Sequence, residues 1–272
     1  MPGPETRTAL ITGATNGLGR ALAGRLAEAG WSVLVHGRDE TRGAETVTEL
    51  AGRAGGDVHF LRADLASLDE VRRLADDVLA HEGRLDVLCS NAGLGSGPRD
   101  ATRRESADGL ELLFAVNYLA HFLLTLRLLD LLRRSAPARI VNVASAGQQA
   151  LDFDDLQLER GWSGTRAYCQ SKLAQIMFTL SLAERVSDDG VSVTALHPAT
   201  YMHTKMVLES RGASLNTVAT GAHATERLIA DPALAGVTGR YFNGTAEGRA
   251  DAQAYDAHAR EQLWELSESL TS

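Results

Sequence analysis

The chain has 272 residues, of which 44% are hydrophobic and 23% charged, and its net charge is −8. This balance fits one large globular domain, and the acidic charge argues against a sequence-independent grip on nucleic acid. No apolar run reaches the ~18 residues that span a bilayer, the N-terminus lacks the apolar segment of a signal peptide, and only two cysteines occur. We therefore expect a cytoplasmic protein that has neither a membrane nor a nucleic-acid partner.

Strand and helix patterns alternate along the chain. Buried-strand patterns occur at residues 8–13, 31–37, 57–65, 84–93, 138–145, 190–198 and 239–244. Helical patterns occur at residues 17–30, 67–83, 107–134 and about 168–187, and a polar helix follows the second strand. Near-continuous apolar strands are typical of a parallel sheet that helices cover on both faces. The sequence therefore predicts an α/β fold, a single doubly wound Rossmann domain over residues 1–272 with about seven strands.

The first predicted strand runs into a glycine-rich turn, TGATNGLGR, at residues 12–20. Gly13, Gly17 and Gly19 permit a tight turn and a close approach of the backbone to a ligand, and the helix that follows offers N–H groups to a pyrophosphate. The spacing is neither the commoner Gly-x-Gly-x-x-Gly nor a P-loop. A connector without a ligand is the alternative, although the strand before and the helix after argue against it.

The residues after the second strand bear on the choice between NAD and NADP. An acidic side chain at this place would bind the ribose hydroxyls of NAD, whereas Arg38 is suited to the 2′-phosphate of NADP. Asp39 is the competing candidate, because it lies about twenty residues past the glycines. We place Asp39 at the N-terminal cap of the next helix, so the sequence favours NADP over NAD.

The stretch TRAYCQSKLAQ, residues 165–175, sets a tyrosine and a lysine four positions apart. On a helix, Tyr168 and Lys172 lie one turn apart on the same face. Their side chains would place a phenol beside an ammonium group. The same spacing also arises by chance on surface helices, so its meaning depends on the rest of the chain.

Taken together, the motifs resemble the short-chain dehydrogenase/reductase superfamily from about residue 6 to residue 244. The resemblance is carried, in family order, by TGATNGLG, Asp64-Leu65, Asn91-Ala92-Gly93, Asn117, Ser145 and Tyr168-x-x-x-Lys172. The stretches VNYLAHFLLT and YCQSKLAQIMFT and the insert DFDDLQLERGW resemble its retinol dehydrogenase and protochlorophyllide reductase branch. That branch often carries an N-terminal membrane anchor, which we expect this chain to lack.

The resemblance implies a role for each of four catalytic residues. Tyr168 would be the general acid/base, its pKa lowered by Lys172 and by the oxidised nicotinamide. Lys172 would also bind the nicotinamide ribose, and Ser145 would hold the substrate oxygen. Asn117 would anchor a water of a proton relay. A solvent-facing position for Asn117 is the alternative, and its apolar flanks FAV and YLAHF argue against that position.

The resemblance also implies a set of cofactor contacts and no metal. The pyrophosphate would lie on the glycine loop, through Gly13, Thr15, Asn16, Gly17, Leu18 and Gly19. The 2′-phosphate and adenosine end would contact Arg38, Asp64, Leu65, Asn91, Ala92 and Gly93. The nicotinamide end would contact Tyr168, Lys172, Pro198 and Thr204.

The segment after the sixth strand departs from the family pattern. The family reads Pro-Gly there, with a threonine five residues past the proline, whereas Ala199 follows Pro198 here and Thr204 lies six residues past it. We predict that Thr204 contacts the carboxamide and that residues 199–216 form a substrate lid. An ordinary helix that packs on the core is the alternative for this segment.

These features predict an NADP(H)-dependent oxidoreductase whose partner is a small ketone, aldehyde or alcohol. Relatives form dimers or tetramers through helices near residues 107–134 and 168–187, so we expect a homo-oligomer, and the apolar run at 112–132 would serve that contact or the core. A non-catalytic NADP-binding sensor or scaffold is the alternative, although the four catalytic residues are all present. A sugar-nucleotide epimerase or dehydratase would need a larger C-terminal domain than the roughly seventy residues after Pro198 can form.

Overall fold

The computed structural model of the protein describes residues 6–53, 55–98, 100–204, 207 and 214–272. The strands are β1 (Thr8–Ile11), β2 (Ser32–Gly37), β3 (Val58–Arg62), β4 (Val87–Ser90), β5 (Ala138–Val143), β6 (Val191–His197), β7 (Arg240–Asn243) and β8 (Ala246–Gly248). They form one sheet in the order β3-β2-β1-β4-β5-β6-β7-β8, in which only β8 is antiparallel to its neighbour. The predicted α/β fold is confirmed, and β8 is a strand that the sequence analysis missed.

The helices that flank the sheet are α1 (Gly17–Glu28), α2 (Glu40–Ala51), α3 (Leu68–His81), α4 (Leu112–Arg134), α5 (Gly164–Arg185), α6 (Val218–Ala230) and α7 (Ala257–Thr271). The prediction started α4 too early, at residue 107. Gly109 adopts a left-handed φ of +76° that ends any helix there. The Glu111 carboxylate then caps the new helix by accepting from the Phe114 N–H at 2.7 Å.

The core lies on both faces of the sheet, because alternate strand residues point to opposite sides. One cluster packs between the sheet and α3, α4, α5 and α7, with Leu10, Leu34, Leu88 and Ile140 as its strand residues. The other packs against α1, α2 and α6, with Ala9, Val33, Val87 and Val141. Burial on both faces explains why these strands read as near-continuous apolar runs.

Helix α4 crosses the middle of the first cluster. Asn117, His121 and Arg127 interrupt its apolar run, so no run of ~18 apolar residues occurs in it. By length and mean composition it is nevertheless, among the described residues, the one helix that could cross a membrane, and 83% of its most apolar window is buried inside the protein. Its Phe122 ring packs against Phe178 of α5 and Trp264 of α7, with centroids 5.2 Å apart in each pair. Of the two roles expected for the apolar run at 112–132, the structure therefore assigns it to the core.

The strand order places the crevice of the sheet between β1 and β4. The chain moves outward through β2 and β3 on one side of β1 and through β4 to β7 on the other. In doubly wound sheets, ligands bind outside the carboxyl ends of the strands at this reversal. The turns after β1, β2, β4, β5 and β6 meet at that edge, and they carry the predicted site residues.

Candidate active site

The glycine turn after β1 packs directly on the turn after β4. Gly13 and Gly17 adopt left-handed φ angles of +66° and +53°. A Cβ atom on Gly13 would lie 2.9 Å from the Ala92 Cα atom, and one on Gly19 would lie 2.4 Å from the Gly13 carbonyl oxygen and 2.5 Å from Asn91 Nδ2. Side chains therefore do not fit at Gly13 or Gly19. These glycines allow the two turns to approach each other as well as a ligand.

Thr12 and Asn91 hold the two turns together. The Thr12 hydroxyl oxygen accepts from the backbone N–H groups of Asn91 and Ala92, both at 2.9 Å. The Asn91 side chain donates to the carbonyls of Thr12 at 2.7 Å and Gly13 at 3.3 Å. The side chain of Asn91, assigned from sequence to the adenosine side of the cofactor, thus braces the glycine turn. Thr12 was not among the site residues predicted from the sequence.

Two buried histidines, which the sequence reasoning also missed as site residues, support the same turn. His36 Nδ1 accepts from the Gly13 N–H at 3.2 Å. His121 Nδ1–H donates to the Asn117 carbonyl, which leaves Nε2 to accept from the Thr12 hydroxyl, both at 3.1 Å. Burial lowers the pKa of His36 to about 4 and that of His121 to about 3. Both rings are therefore neutral at pH 7, as these hydrogen bonds require.

The end of β2 lies against the glycine turn. A Cβ atom on Gly37 would be 2.6 Å from Cγ2 of Thr15. The next residue, Arg38, is exposed and has no ion pair within the described part of the chain. The Asp39 carboxylate caps α2 by accepting from the Arg42 N–H at 3.1 Å. The predicted cap is confirmed, and Arg38 beside the turn is a charged group without an ion pair among the residues that the structure describes.

The remaining residues predicted at the pyrophosphate and adenosine end differ in exposure. Asp64, which follows β3, is half-buried, and its carboxylate accepts from the Ala66 N–H at 3.0 Å. Asn16 is exposed and caps α1. Leu18 and Leu65 are buried in the two core clusters, so only their backbone atoms could contact a ligand.

The structure brings Ser145, Tyr168 and Lys172 together beyond the end of β5. A Cβ atom on Gly147 would lie 3.5 Å from Ser145 Oγ and 3.7 Å from Cε1 of the Tyr168 ring, so the two side chains are neighbours. Ser145 is fixed by the N–H of Gly147, which donates to its Oγ at 3.0 Å. Lys172 Nζ lies 6.0 Å from the centroid of the Tyr168 ring. It also lies 3.5 Å from the place where a Cβ atom of Gly93 would be. Gly93 thus connects this cluster to the turn after β4 and so to the glycine turn.

Asn117 is fully buried in a π-helical turn of α4, Ala115–Leu119. Its Oδ1 accepts from the Leu94 N–H at 2.7 Å, and its Nδ2 donates to the Leu94 carbonyl at 3.1 Å and to Ser171 Oγ at 3.0 Å. The solvent-facing alternative for Asn117 is therefore wrong. Single π turns within α-helices are frequent at functional sites. This one leads directly to His121, and so to the glycine turn.

Burial shifts the protonation of the two central groups in opposite directions. It raises the pKa of the Tyr168 phenol, an effect that the neighbouring Ser145 side chain opposes. It lowers the pKa of Lys172 to about 7. In the protein alone the phenol is thus held protonated. The lowering of the Tyr168 pKa that was expected from the sequence depends on the positive charges of Lys172 and oxidised nicotinamide in the reacting complex.

The segment after β6 returns to the glycine turn. Pro198 is buried, and the Thr204 methyl lies 3.3 Å from the place where a Cβ atom of Gly17 would be. Tyr201 adopts a left-handed φ of +46°, and its carbonyl accepts from the N–H of Leu215 at 2.9 Å. Residues 205, 206 and 208–213 of the predicted lid lie outside the described residues, so the lid stays a prediction.

The arrangement fits a nicotinamide dinucleotide in three respects. Among the described residues only Thr204 lies beside the Cβ position of Gly17, so this part of the backbone can approach a pyrophosphate. Arg38 offers a guanidinium beside the turn. Lys172 donates to two protein acceptors, the Val143 carbonyl and Gln175, and an ammonium has three donors, so one remains for a ribose hydroxyl.

Curated relatives align with this chain over nearly its whole length. It is 38% identical to retinol dehydrogenase 14 of Mus musculus, over 97% of this chain and 85% of the relative. It is 37% identical to polyprenol dehydrogenase of Mus musculus, over 100% of this chain and 85% of the relative.

A solved structure and a family model agree with these relatives. The fold matches that of RhlG from Pseudomonas aeruginosa, solved as an NADP active-site complex, with a TM-score of 0.70, 29% identity, and coverage of 87% of this chain and 94% of that chain. The short chain dehydrogenase family model matches residues 7–214. The chain therefore belongs to the short-chain dehydrogenase family and is an oxidoreductase of its retinol dehydrogenase branch.

Proposed function

We propose that this protein is an NADPH-dependent oxidoreductase that interconverts a ketone or aldehyde and the corresponding alcohol, with Tyr168 as the general acid/base. The observation that carries the proposal is the cluster of Ser145, Tyr168 and Lys172 beside Gly93. Bound NADPH supplies the hydride. The side chains of the cluster then have to orient the carbonyl group, stabilise the charge on its oxygen and provide a proton.

Each of these tasks has a residue in the cluster. As a carbonyl is reduced, negative charge grows on its oxygen, and the Ser145 hydroxyl can hydrogen-bond to that oxygen. The Tyr168 hydroxyl lies beside Ser145 and can donate its proton to the same atom. A phenol with an ordinary pKa of about 10 is a weak acid, so the Lys172 ammonium is needed to stabilise the phenolate that remains.

NADP rather than NAD is the proposed cofactor, and Arg38 supports this choice. Its guanidinium is exposed beside the glycine turn and unpaired among the described residues, whereas the neighbouring Asp39 is occupied at the cap of α2. A guanidinium binds a 2′-phosphate through charge-assisted hydrogen bonds. RhlG, the structural relative above, was itself solved with NADP.

Replacing Arg38 by alanine should weaken NADPH binding about 10- to 100-fold and leave NADH binding unchanged, because one charged hydrogen-bond partner of the 2′-phosphate is lost. Arg42→Ala is the matched control, since Arg42 is also an exposed arginine at this end of α2 but pairs with Asp39. Fluorescence titrations of both cofactors would measure the dissociation constants. Equal loss of NADPH and NADH affinity in Arg38→Ala would contradict the assignment.

The proposed function as a whole is tested by NADPH consumption at 340 nm with a panel of carbonyl compounds. Since the relatives are named for retinol and polyprenol, the panel should contain retinal and a polyprenal together with short ketones and aldehydes. We expect at least one member to accelerate NADPH consumption above the background rate. Tight NADPH binding without acceleration by any member would instead favour a sensor or scaffold.

A further inference from the structure

Lys172 is anchored by a side chain that is not one of the four catalytic residues. Its Nζ donates to Gln175 Oε1 at 2.8 Å and to the Val143 carbonyl at 2.9 Å. Both side chains are buried, with 4% of Lys172 and 1% of Gln175 exposed. Two of the three ammonium N–H groups are therefore fixed by the protein, and their directions decide where the third one points.

The backbone of Gln175 is linked to the sheet through Thr179. Its backbone carbonyl accepts from the Thr179 hydroxyl at 2.8 Å, and Thr179 Oγ1 accepts from Asn142 Nδ2 of β5 at 2.9 Å. Its Nε2 is buried without a hydrogen-bond partner among the described residues. An unpaired buried amide is unfavourable, and a residue that only filled the core would be apolar. The side chain of Gln175 is thus explained by its contact with Lys172.

The charge of Lys172 is met by neutral acceptors. The titratable side chains around this end of α5 are Tyr168 and Cys169 on α5, His121 and Tyr118 on α4, and Tyr241 on β7. Burial keeps each of them neutral at pH 7. In the described part of the chain no carboxylate forms an ion pair with Lys172. Removal of one neutral acceptor therefore directly changes the pKa of the Lys172 ammonium.

We propose that Gln175 is the positioning residue for Lys172: its carboxamide oxygen holds the ammonium beside Gly93 and sets the pH range in which Lys172 keeps its proton. The inference rests on the proposed function, in which protonated Lys172 binds the nicotinamide ribose and stabilises the Tyr168 phenolate. Burial already lowers the pKa of Lys172 to about 7. Loss of the acceptor lowers this pKa further, and a carboxylate in its place raises it.

The composition of the chain allows a direct test. Of its 27 basic residues only Lys172 and Lys205 are lysines, so ¹³Cε-lysine labelling of the full chain gives two side-chain NMR signals, and Lys205→Arg assigns them. The Lys172 signal should titrate near pH 7. We expect its midpoint to fall by about one pH unit or more in Gln175→Met and to rise by a similar amount in Gln175→Glu.

Gln170→Met is the matched control. Gln170 is a second buried glutamine of α5, but it donates to the Ala150 carbonyl rather than contacting Lys172. Gln170→Met should therefore leave the midpoint of the Lys172 titration unchanged. A Gln175 that only packed the core would lower the unfolding temperature of its variants without moving the midpoint, and an unmoved midpoint overturns the proposal. If Gln175→Met does not fold, the proposal is tested by the midpoint of the Lys172 titration in Gln175→Glu, which keeps the length of the side chain.

Turnover provides the second readout. Deprotonation of Lys172 removes the charge that stabilises the phenolate, so activity falls as the pH rises through its pKa. The alkaline limb of the kcat profile should move to lower pH in Gln175→Met and to higher pH in Gln175→Glu. A shifted NMR midpoint in a protein that reduces no carbonyl would support the positioning role and refute the proposed function. Turnover with an unmoved midpoint would refute the positioning role alone.

Discussion

Replacing Tyr168 by phenylalanine is expected to lower kcat for carbonyl reduction about 10²- to 10⁴-fold, the usual contribution of a general acid. The variant loses only the phenolic hydroxyl of a ring that neighbours Ser145, and the ring can stay in its place on α5. NADPH should therefore still bind with an affinity within about twofold of the original. Steady-state kinetics and a fluorescence titration of NADPH on the same preparation measure the two quantities.

Tyr255→Phe is the control for the loss of a tyrosine hydroxyl. Tyr255 is 43% exposed, and its hydroxyl accepts from the Ala250 N–H at 3.0 Å, away from the cluster. Turnover in this variant should be unchanged. If Tyr168→Phe retained the original kcat, Tyr168 could not be the proton donor, and Ser145 or a water would have to take that role.

Gly19→Ala is expected to abolish NADPH binding and to destabilise the protein by about 1–3 kcal/mol, the usual cost of overpacking. The new Cβ atom would lie 2.4 Å from the Gly13 carbonyl oxygen and 2.5 Å from Asn91 Nδ2. The clash involves a backbone atom and an amide that holds two turns together, so both turns would have to separate. Urea unfolding and NADPH titration measure the two effects.

Gly24→Ala makes the same change one turn and a half further along α1. Its Cβ atom would meet Leu50 Cδ2 at 3.4 Å, an ordinary contact, and alanine is favoured over glycine inside a helix by about 1 kcal/mol. This variant should be as stable as the original or more stable, with unchanged NADPH binding. Equal behaviour of the two variants would mean that close packing at Gly19 does not shape the cofactor turn.

The fold could be predicted because it depends on local patterns, whereas Ser145 was placed in the central cluster through the family resemblance. Apolar strands alternate with amphipathic helices, and the residues at the carboxyl ends of parallel strands must meet at one edge. The spacing of Tyr168 and Lys172 fixes their common face once the segment is a helix. Strand β8 was missed because three residues in a hairpin carry too little pattern to be recognised.

The supporting residues could not be predicted because their partners are distant in sequence. His121 bonds to Thr12 across 109 residues, and His36 bonds to Gly13 across 23. The one sequence signal for His121 and Gln175 is their spacing, because they lie one helical turn after Asn117 and Lys172. Nothing local distinguishes them from core residues, however. The homo-oligomer, the cytoplasmic location and the role of Thr204 stay predictions.

A crystal structure of the complex with NADP⁺ tests the account most directly. The proposed function predicts three contacts in this complex. Lys172 Nζ lies within hydrogen-bond distance of a nicotinamide ribose hydroxyl, the Arg38 guanidinium contacts the 2′-phosphate, and the Tyr168 hydroxyl faces the nicotinamide ring. A complex in which that ring lies away from Tyr168, with the hydroxyl directed to solvent, would contradict it.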